Sequence, residues 1–369
     1  MLARAGRARF RAEIENAVQK TYRVGIIGCG RKASTIDDEQ RWLTNYDALP
    51  CSHASAYTAC ARTQIIAAAD PDRGKLEAFG ERWNVSALYS DYREMLSKQS
   101  LDIVSVTTHA PLHGPATIDA ARVGAKGIIC EKAMATSLAE ADRMIEECRS
   151  AGARLLVNYP RRYHPAYEAA RKAIQDGRIG QLRAMIGCMY DALVHNGTHL
   201  FDMLRFFAGD AEWVAGAAVH AQGPDAGGFG VIGFRDGVRA LVEVASMQGF
   251  ELTLLGTTGR IVISPYKDGF EIWEYKARRP AGEKGWFDYG GGKEAAVEEV
   301  KNSEPVKPPM LAAVEDLVES IEQGRPPRCS GEDGRAALEI ALAFHTSDGR
   351  CMGRVEIPMA DRTLRVESR

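Results

Sequence analysis

The sequence predicts an α/β domain followed by an α+β domain that contains a large, mostly antiparallel open sheet. The first domain is indicated between Tyr22 and Cys130, where short β-rich runs alternate with helical segments, a pattern typical of βαβ units and a parallel sheet. The second domain is indicated beyond about Ser137 by a strand-rich block whose clearest members are "GVRALVEVAS" and "FELTLLGTTGRIVIS". The length of 369 residues also exceeds what one core comfortably supports, so two domains are expected.

The individual elements follow from the same patterns. The β-rich runs of the first domain are "YRVGIIG", "QIIAAAD", "LDIVSVTT" and "AKGIIC". Helices of the second domain are expected at 137–150, about 165–176, after Gly197, 310–323 and 331–348. We assign an N-terminal arm to residues 1–20, the α/β domain to 21–136 and the α+β domain to 137–369. One face of the antiparallel sheet needs helices to cover it, and the other face needs a partner.

Composition excludes several classes of protein. Lys and Arg number 47 against 49 Asp and Glu, so the net charge of -2 provides no field that would gather nucleic acid or an anionic membrane. The 8 cysteines are scattered without a C-x-x-C pair or zinc spacing, which predicts reduced thiols, a cytoplasmic protein and no metal site. The first twenty residues are Arg-rich and lack the apolar core of a secretory signal. No apolar stretch is long enough to span a membrane.

A dinucleotide-binding loop is predicted after the first strand. The run "YRVGIIG" ends in Gly28-Cys29-Gly30-Arg31-Lys32-Ala33, which fits G-x-G-x-x-G/A, although a lone match also fits a plain strand-to-helix turn. Asp70 ends the second β-run, where a carboxylate would accept hydrogen bonds from the ribose hydroxyls of NAD and repel the 2'-phosphate of NADP. The α/β domain is therefore predicted to be a Rossmann domain that binds NAD, with NADP less favoured.

The spacing of these features predicts an insertion. Ala33 and Asp70 are 37 residues apart, whereas an uninterrupted unit has about 20 residues between fingerprint and acid. An insertion of about seventeen residues, at about 34–50, accounts for the excess and places the start of the first crossover helix near Ser52. The acids at 37–39 are expected to face solvent, because they would repel a pyrophosphate. We interpret the insertion, with Trp42 and Tyr46, as a lid or a subunit contact.

A charged pair follows the fourth β-run. Glu131 and Lys132 come directly after "GIIC", at the C-terminal end of a predicted parallel strand. Ligands bind in the crevice at such strand ends, so the pair is a candidate for the functional site. A surface ion pair at the domain junction is the alternative interpretation.

Two histidines lie close together in "MYDALVHNGTHLFDMLRFFAG". Thr198 is a plausible N-cap, which would place His199 in the first turn of a helix with Asp202 three positions later on the same face. His199 could then be oriented by that carboxylate and presented to a cleft, while His195 could bind a ligand. The alternative is a structural histidine and a helix-capping aspartate.

Four segments together resemble one known family, the glucose-fructose oxidoreductase, inositol dehydrogenase and MocA group of NAD(P)-dependent sugar and polyol dehydrogenases. "EKAMATSLAEAD" resembles its Glu-Lys-Pro motif, "HNGTHLFDMLRFFAG" its Asp-x-Gly-x-His-x-x-Asp segment, "NYPRRYHPAY" its Asn-x-Arg-Arg strand end, and "GRPPRCSGEDGRAALEIALAFHTSDGR" its C-terminal helix signature. The resemblance implies a Rossmann domain and an antiparallel sheet that packs on a second subunit, giving a homodimer or homotetramer. A sugar or polyol would lie between nicotinamide and that sheet.

The resemblance also implies roles for individual residues. Catalytic roles fall to Lys132, His199 and His195. Cofactor contacts are expected from Gly28, Cys29, Gly30, Arg31, Asp70, Thr108, His109, His113, Glu131 and Lys132. Substrate contacts are expected from Lys132, Arg162, Tyr163, His195 and His199. The sequence departs from the family pattern at Ala133, which replaces a proline, at His109-Ala110, at the insertion, and at His195, which replaces an aspartate in many members.

The chemistry implied is oxidation of a secondary alcohol. Loss of hydride from carbon requires a base for the hydroxyl proton and a cation for the developing alkoxide, and we assign these roles to His199 and Lys132. His195 would orient the substrate or serve as a second proton group. Two alternatives use the same residues: an enzyme that retains NAD and modifies glycosides through a transient keto-sugar, and a non-catalytic protein that senses sugars or nucleotides on this fold.

Overall fold

A computed structural model describes residues 20–40, 49–219, 225–263, 269–277, 293–301 and 307–368. The predicted N-terminal arm, apart from its last residue Lys20, lies outside these ranges, as do Trp42 and Tyr46 of the insertion. Within the described ranges, no helix has the length and apolar character needed to cross a membrane.

The first sheet has six strands, all paired in parallel, in the order β3-β2-β1-β4-β5-β6. The strand order reverses between β1 and β4, which creates the crevice where ligands bind in open α/β sheets. The strands are β1 (Tyr22–Ile27), β2 (Thr63–Ala69), β3 (Ala87–Tyr89), β4 (Ile103–Val106), β5 (Gly127–Cys130) and β6 (Arg154–Val157). The helices of this region are α1 (Ile36–Gln40), α2 (His53–Ala59), α3 (Arg73–Trp83), α4 (Tyr92–Lys98), α5 (Ala110–Arg122) and α6 (Leu138–Ala151).

The predicted domain boundary at residue 136 is too early. Helix α6 begins at the predicted position and is followed by β6, which pairs in parallel with β5 from Gly127↔Arg154 to Cys130↔Val157. These two elements are therefore one more βαβ crossover of the first sheet rather than the start of the second domain. The four-residue strand β6 is too short for its pattern to reveal which sheet it joins.

The insertion lies inside the first crossover, as predicted. The nucleotide loop passes into a π-helical turn (Arg31–Thr35) and α1, and the next helix, α2, begins after its N-cap Ser52, which confirms the predicted start. The expectation that all three acids face solvent is wrong for Asp37, which is only 5% exposed. Its carboxylate accepts hydrogen bonds from the backbone N–H groups of Cys51 (2.6 Å) and Ser52 (3.0 Å) and from the Ser52 hydroxyl (2.6 Å). Burial follows because these donors at the start of a helix need acceptors.

The second sheet is antiparallel and has the order β13-β12-β11-β10-β9-β8-β14, with β7 paired to β10. Its strands are β7 (Leu182–Tyr190), β8 (Ala211–Val219), β9 (Gly227–Phe234), β10 (Arg239–Gly256), β11 (Gly259–Ile263), β12 (Phe270–Ala277), β13 (Lys293–Val300) and β14 (Val355–Glu356). Helices α7 (Pro165–Gln175), α8 (Thr198–Ala208), α9 (Pro309–Gln323) and α10 (Gly331–Asp348) accompany it. The predicted α/β plus α+β fold class is confirmed.

One face of this sheet is covered by helices α8 and α10. Phe201 of α8 stacks on Phe344 of α10 with ring centroids 5.6 Å apart. Gly216 of β8 lies so close to α10 that a Cβ there would be 2.5 Å from a ring carbon of Phe344, which explains the glycine. Large apolar side chains remain exposed on strands β7, β9 and β10, and the strand register places them on one face: Ile186, Tyr190, Phe229 and Leu241.

Candidate functional site

The loop after β1 has the backbone of a phosphate-binding turn. Gly28 has φ +91°, and a Cβ there would lie 3.0 Å from the carbonyl carbon and oxygen of Thr107, so this position requires glycine. The Thr107 hydroxyl donates to the Gly28 carbonyl oxygen at 2.7 Å, which ties the loop to the end of β4. A Cβ at Gly30 would meet nothing within 4 Å. The side of the loop at Gly30 therefore opens on free space that a pyrophosphate could approach.

Asp70 lies beside this loop at the end of β2. One carboxylate oxygen accepts the backbone N–H of Cys29 at 2.7 Å, and the other accepts the backbone N–H of Asp72 at 2.8 Å. Three features together fit a dinucleotide. The Asp70 carboxylate contacts the fingerprint, the side of the loop at Gly30 is open, and a helical turn begins at Arg31. The role of Asp70 toward the ribose stays a prediction.

The other predicted cofactor residues lie in three settings: on the surface, at the crevice and in the interior. The Arg31 guanidinium pairs with Glu39 at 2.6 Å on the surface. Thr108 and His109 follow β4 at the crevice, and His109 is exposed. His113 is buried, and its two ring nitrogens lie 2.7 Å from the Ala133 carbonyl oxygen and 2.9 Å from the Thr108 carbonyl oxygen. The ring of His113 links two backbone segments that border the site, and its contact with the cofactor stays a prediction.

Lys132 lies at the end of β5 and is held by the segment that precedes α8. Its ammonium group donates to the carbonyl oxygen of His195 at 2.6 Å and to Oδ1 of Asn196 at 3.3 Å. Burial lowers the pKa of Lys132 to about 8. At the position where the family pattern has proline, the peptide bond between Lys132 and Ala133 is cis.

Glu131 is buried, and its carboxylate contacts polar side chains of the protein. One of its carboxylate oxygens lies 3.0 Å from Nε2 of His53 and accepts the Asn158 amide at 2.8 Å. Burial alone would raise the pKa of Glu131, but Lys32, His53 and Asn158 outweigh it and hold the pKa well below its usual range. The carboxylate of Glu131 is thus occupied by His53 and Asn158, and its cofactor contact stays a prediction.

His199 is the second residue of α8, one turn beyond the carbonyl that Lys132 contacts. Its ring meets Tyr159 edge to face with centroids 5.3 Å apart. Burial, together with the positive charges of Lys132 and Arg161, lowers the pKa of His199 well below its usual value. The imidazole is therefore neutral at physiological pH and available as a base.

The predicted partner of His199 has a different role. The buried carboxylate of Asp202 accepts two hydrogen bonds from Nε of Arg162, at 2.9 and 3.0 Å. Thr198 is not an N-cap, because a π-helical turn (Leu193–Gly197) precedes it and its hydroxyl donates to the Val194 carbonyl oxygen at 2.9 Å. Asp202 therefore fixes Arg162 rather than orienting His199.

The two residues expected to line the substrate pocket are occupied elsewhere. Arg162 also donates to Asp333 at 3.1 Å, and the buried Tyr163 hydroxyl donates to Asp316 at 2.9 Å. The neighbouring Arg161, which sequence reasoning missed, lies with its guanidinium carbon 4.2 Å from the Phe250 ring centroid. Its charge acts on both His199 and Lys132. The Arg161-Arg162 pair indicated an arginine near the site, but the sequence does not show which of the two side chains faces the site.

His195 is surrounded by polar groups from three parts of the chain. Its Nδ1 lies 3.3 Å from the Ser368 hydroxyl, its Nε2 lies 3.8 Å from an Asp191 carboxylate oxygen, and its backbone N–H donates to Asp225 at 2.8 Å. Sequence reasoning identified none of these three partners. In the part of the chain that the structure describes, no group of three or more His, Cys, Asp or Glu side chains could hold a metal ion.

Comparison with known proteins matches both halves of the chain to one family. Residues 22–159 match the family model described as an oxidoreductase family with an NAD-binding Rossmann fold. Residues 183–357 match the model of that family's C-terminal alpha/beta domain.

Individual relatives are dehydrogenases. The chain is 31% identical to D-apiose dehydrogenase of Paraburkholderia graminis over 225 residues, which are 56% of this chain and 55% of that enzyme. It is 23% identical to myo-inositol 2-dehydrogenase of Thermotoga maritima over 359 residues, which are 88% of this chain and 96% of that enzyme. The solved structure of levoglucosan dehydrogenase with NADH and levoglucosan shares the fold, with a TM-score of 0.74 at 20% identity, and the match covers 92% of this chain and all of that one.

Proposed function

The chain belongs to the Gfo/Idh/MocA oxidoreductase family, and from this membership and its site we propose that it is an NAD-dependent dehydrogenase of sugars or polyols. It would transfer a hydride between nicotinamide and a secondary hydroxyl. The observation that carries the proposal is that the Lys132 ammonium group bonds to the His195 carbonyl oxygen, four residues before His199. The pKa of Lys132 is about 8, and burial and the charge of Lys132 hold the pKa of His199 well below its usual value. The relatives, which are named for apiose and inositol, support the class of substrate.

Each residue has a distinct task in the proposed reaction. NAD, when bound, supplies the hydride chemistry. Neutral His199 accepts the proton of the substrate hydroxyl, because its imidazole is unprotonated at physiological pH. Lys132, which is still mostly protonated at neutral pH, stabilises the negative charge that develops on the substrate oxygen. His195 would orient the substrate beside them.

The assembly and compartment are also proposals. The exposed apolar side chains on β7, β9 and β10 support a homodimer or homotetramer formed through the open face of the second sheet. All 8 cysteines are free thiols, which supports the reducing cytoplasm.

A dye-coupled screen of NAD reduction across sugars, inositols and glycosides tests the proposal. We expect NADH to accumulate with at least one sugar or polyol. Silence across the panel, with NAD binding demonstrated by calorimetry, would contradict net dehydrogenation. Product analysis of the same reactions would then separate an enzyme that recycles its NAD from a protein that only binds sugars.

A further inference from the structure

The residues 361–368, which we call the C-terminal strap, run along the candidate site. Alternate side chains of this extended segment point inward: Val366 and Ser368 are 5% and 7% exposed, while Arg365 and Glu367 face solvent. The strap uses backbone hydrogen bonds to dock on the first domain. The Ala139 N–H donates to the Arg362 carbonyl oxygen at 2.9 Å, and the Val366 N–H donates to the Thr136 carbonyl oxygen at 3.0 Å.

These contacts bring the strap close to two parts of the site, the segment after Lys132 and the ring of His195. Thr136 lies four residues after Lys132, in the segment that continues from the end of β5. Two residues beyond the contact with Thr136, the Ser368 hydroxyl lies 3.3 Å from Nδ1 of His195. The carbonyl oxygen of His195 is the acceptor of the Lys132 ammonium group. The strap therefore joins the segment that carries Lys132 to the ring of His195.

The direction of the hydrogen bond between Ser368 and His195 depends on the tautomer of the ring, which the charges around it bias. On the other side of the ring, Nε2 lies 3.8 Å from the Asp191 carboxylate. A nearby negative charge favours the proton on Nε2, so Nδ1 carries the lone pair and the Ser368 hydroxyl donates to it. The Ser368 hydroxyl therefore contributes to fixing the tautomer and the orientation of the ring from its Nδ1 side.

We propose that the strap brings Ser368 to the active site and that Ser368 is a positioning residue that holds the His195 imidazole in one tautomer and one orientation toward the substrate. The proposal rests on the proposed function, in which His195 faces the substrate. It assigns no proton transfer to Ser368, which acts through His195 alone.

The test compares three single variants in the full chain. Ser368→Ala removes the hydroxyl, Ser368→Thr restores it, and Glu367→Ala is the matched control, since Glu367 is the exposed neighbour on the same segment. With the substrate found in the NAD-reduction screen, we expect Ser368→Ala to raise KM about three- to tenfold, the effect of losing one orienting hydrogen bond. The dissociation constant of NAD should not change, and both Ser368→Thr and Glu367→Ala should stay within about twofold of wild type. Equal kinetics of Ser368→Ala and Glu367→Ala would overturn the proposal.

A second measurement does not depend on turnover. Protein with ¹⁵N-labelled histidine, with the His195 signals assigned from a His195→Asn variant, reports the tautomer of the ring directly. We expect the Nε2–H form in wild type and in Glu367→Ala, and a larger fraction of the Nδ1–H form in Ser368→Ala, where the Asp191 carboxylate acts without the Ser368 donor. If no substrate is turned over but this change is seen, the dehydrogenase proposal fails while the positioning by Ser368 stands. An unchanged tautomer in Ser368→Ala would refute the positioning role.

Discussion

The ammonium group of Lys132 donates a 2.6 Å hydrogen bond to the backbone carbonyl oxygen of His195. This bond connects the segment after β5 to the turn that precedes α8. Burial lowers the pKa of Lys132, the negative charge of Glu131 raises it, and the outcome is a pKa of about 8. Lys132 thus comes from the first domain, and a backbone carbonyl group of the second domain holds its ammonium group in place.

Replacing either member of the proposed pair should abolish most turnover. We expect Lys132→Met and His199→Ala each to lower kcat about 100-fold or more, because each removes a group that acts on the proton or charge of the reacting hydroxyl. NAD binding, measured by calorimetry, should be nearly unchanged. Lys98→Met is the control, since Lys98 is exposed and pairs only with Glu94 among the described contacts. Near-normal turnover in either site variant would remove that residue from the mechanism.

The pH dependence of kcat/KM for oxidation should be bell-shaped. His199 is a base only when neutral, and its pKa lies well below 6.5, so activity should rise with pH on a limb below that value. Lys132 loses its charge as pH increases through about 8, so activity should fall there. In Lys132→Arg the side chain stays charged, because an arginine does not lose its proton in this range, so the alkaline limb should move to above about pH 10. An alkaline limb that keeps its position in this variant belongs to another group.

Glu131 should control the position of that alkaline limb. Its negative charge raises the pKa of Lys132, so Glu131→Gln should lower that pKa and move the limb to lower pH by about one unit. A pH profile of the variant from pH 5 to 10 measures the shift. Glu140→Gln is a suitable comparison, because Glu140 bonds to Thr136 in the segment after Lys132 but does not act on the lysine among the described interactions. A shift of the limb to higher pH would contradict the assignment.

Asp70 should determine the choice of cofactor in two separable ways. Its carboxylate accepts the Cys29 N–H, so Asp70→Ala should loosen the nucleotide loop and weaken NAD binding. Asp70→Asn keeps an acceptor for that N–H but removes the charge that repels a 2'-phosphate. We expect the asparagine variant to relax discrimination against NADP about tenfold or more, as measured by the ratio of kcat/KM for the two cofactors. Unchanged preference in both variants would make Asp70 purely structural.

The buried acid of the insertion should contribute more to stability than its neighbour. Asp37→Ala leaves three donors without their acceptor, and we expect the free energy of unfolding to fall by about 2–4 kcal/mol. Asp38→Ala, at a half-exposed ion pair with Arg82, should cost less than about 1 kcal/mol. Urea denaturation of the two variants gives the comparison. Equal effects would show that the hydrogen bonds of Asp37 are not maintained in solution.

Features with local causes were predictable from the sequence. The tight turn at Gly28 and the place of Lys132 just after a strand follow from patterns within a few residues. The helix start near Ser52 follows from the spacing between the fingerprint and Asp70. Pairings between distant residues were not predictable. Ser368 and His195 are 173 positions apart, and Arg162 is 40 positions from Asp202 and 171 from Asp333. An acid such as Asp202 has the same sequence signal whether it orients a histidine or neutralises a buried arginine.

The hydrogen bonds of Asp37 also have a consequence for how such a protein can diversify. They fasten the end of the first helical segment directly to the start of α2, so both stems of the intervening stretch are fixed to each other. A stretch with fixed stems can change in length or composition at small cost in closure entropy, and the nucleotide loop before it stays in register with the sheet. A segment between Gln40 and Leu49 can thus be exchanged between homologues without rebuilding the cofactor domain.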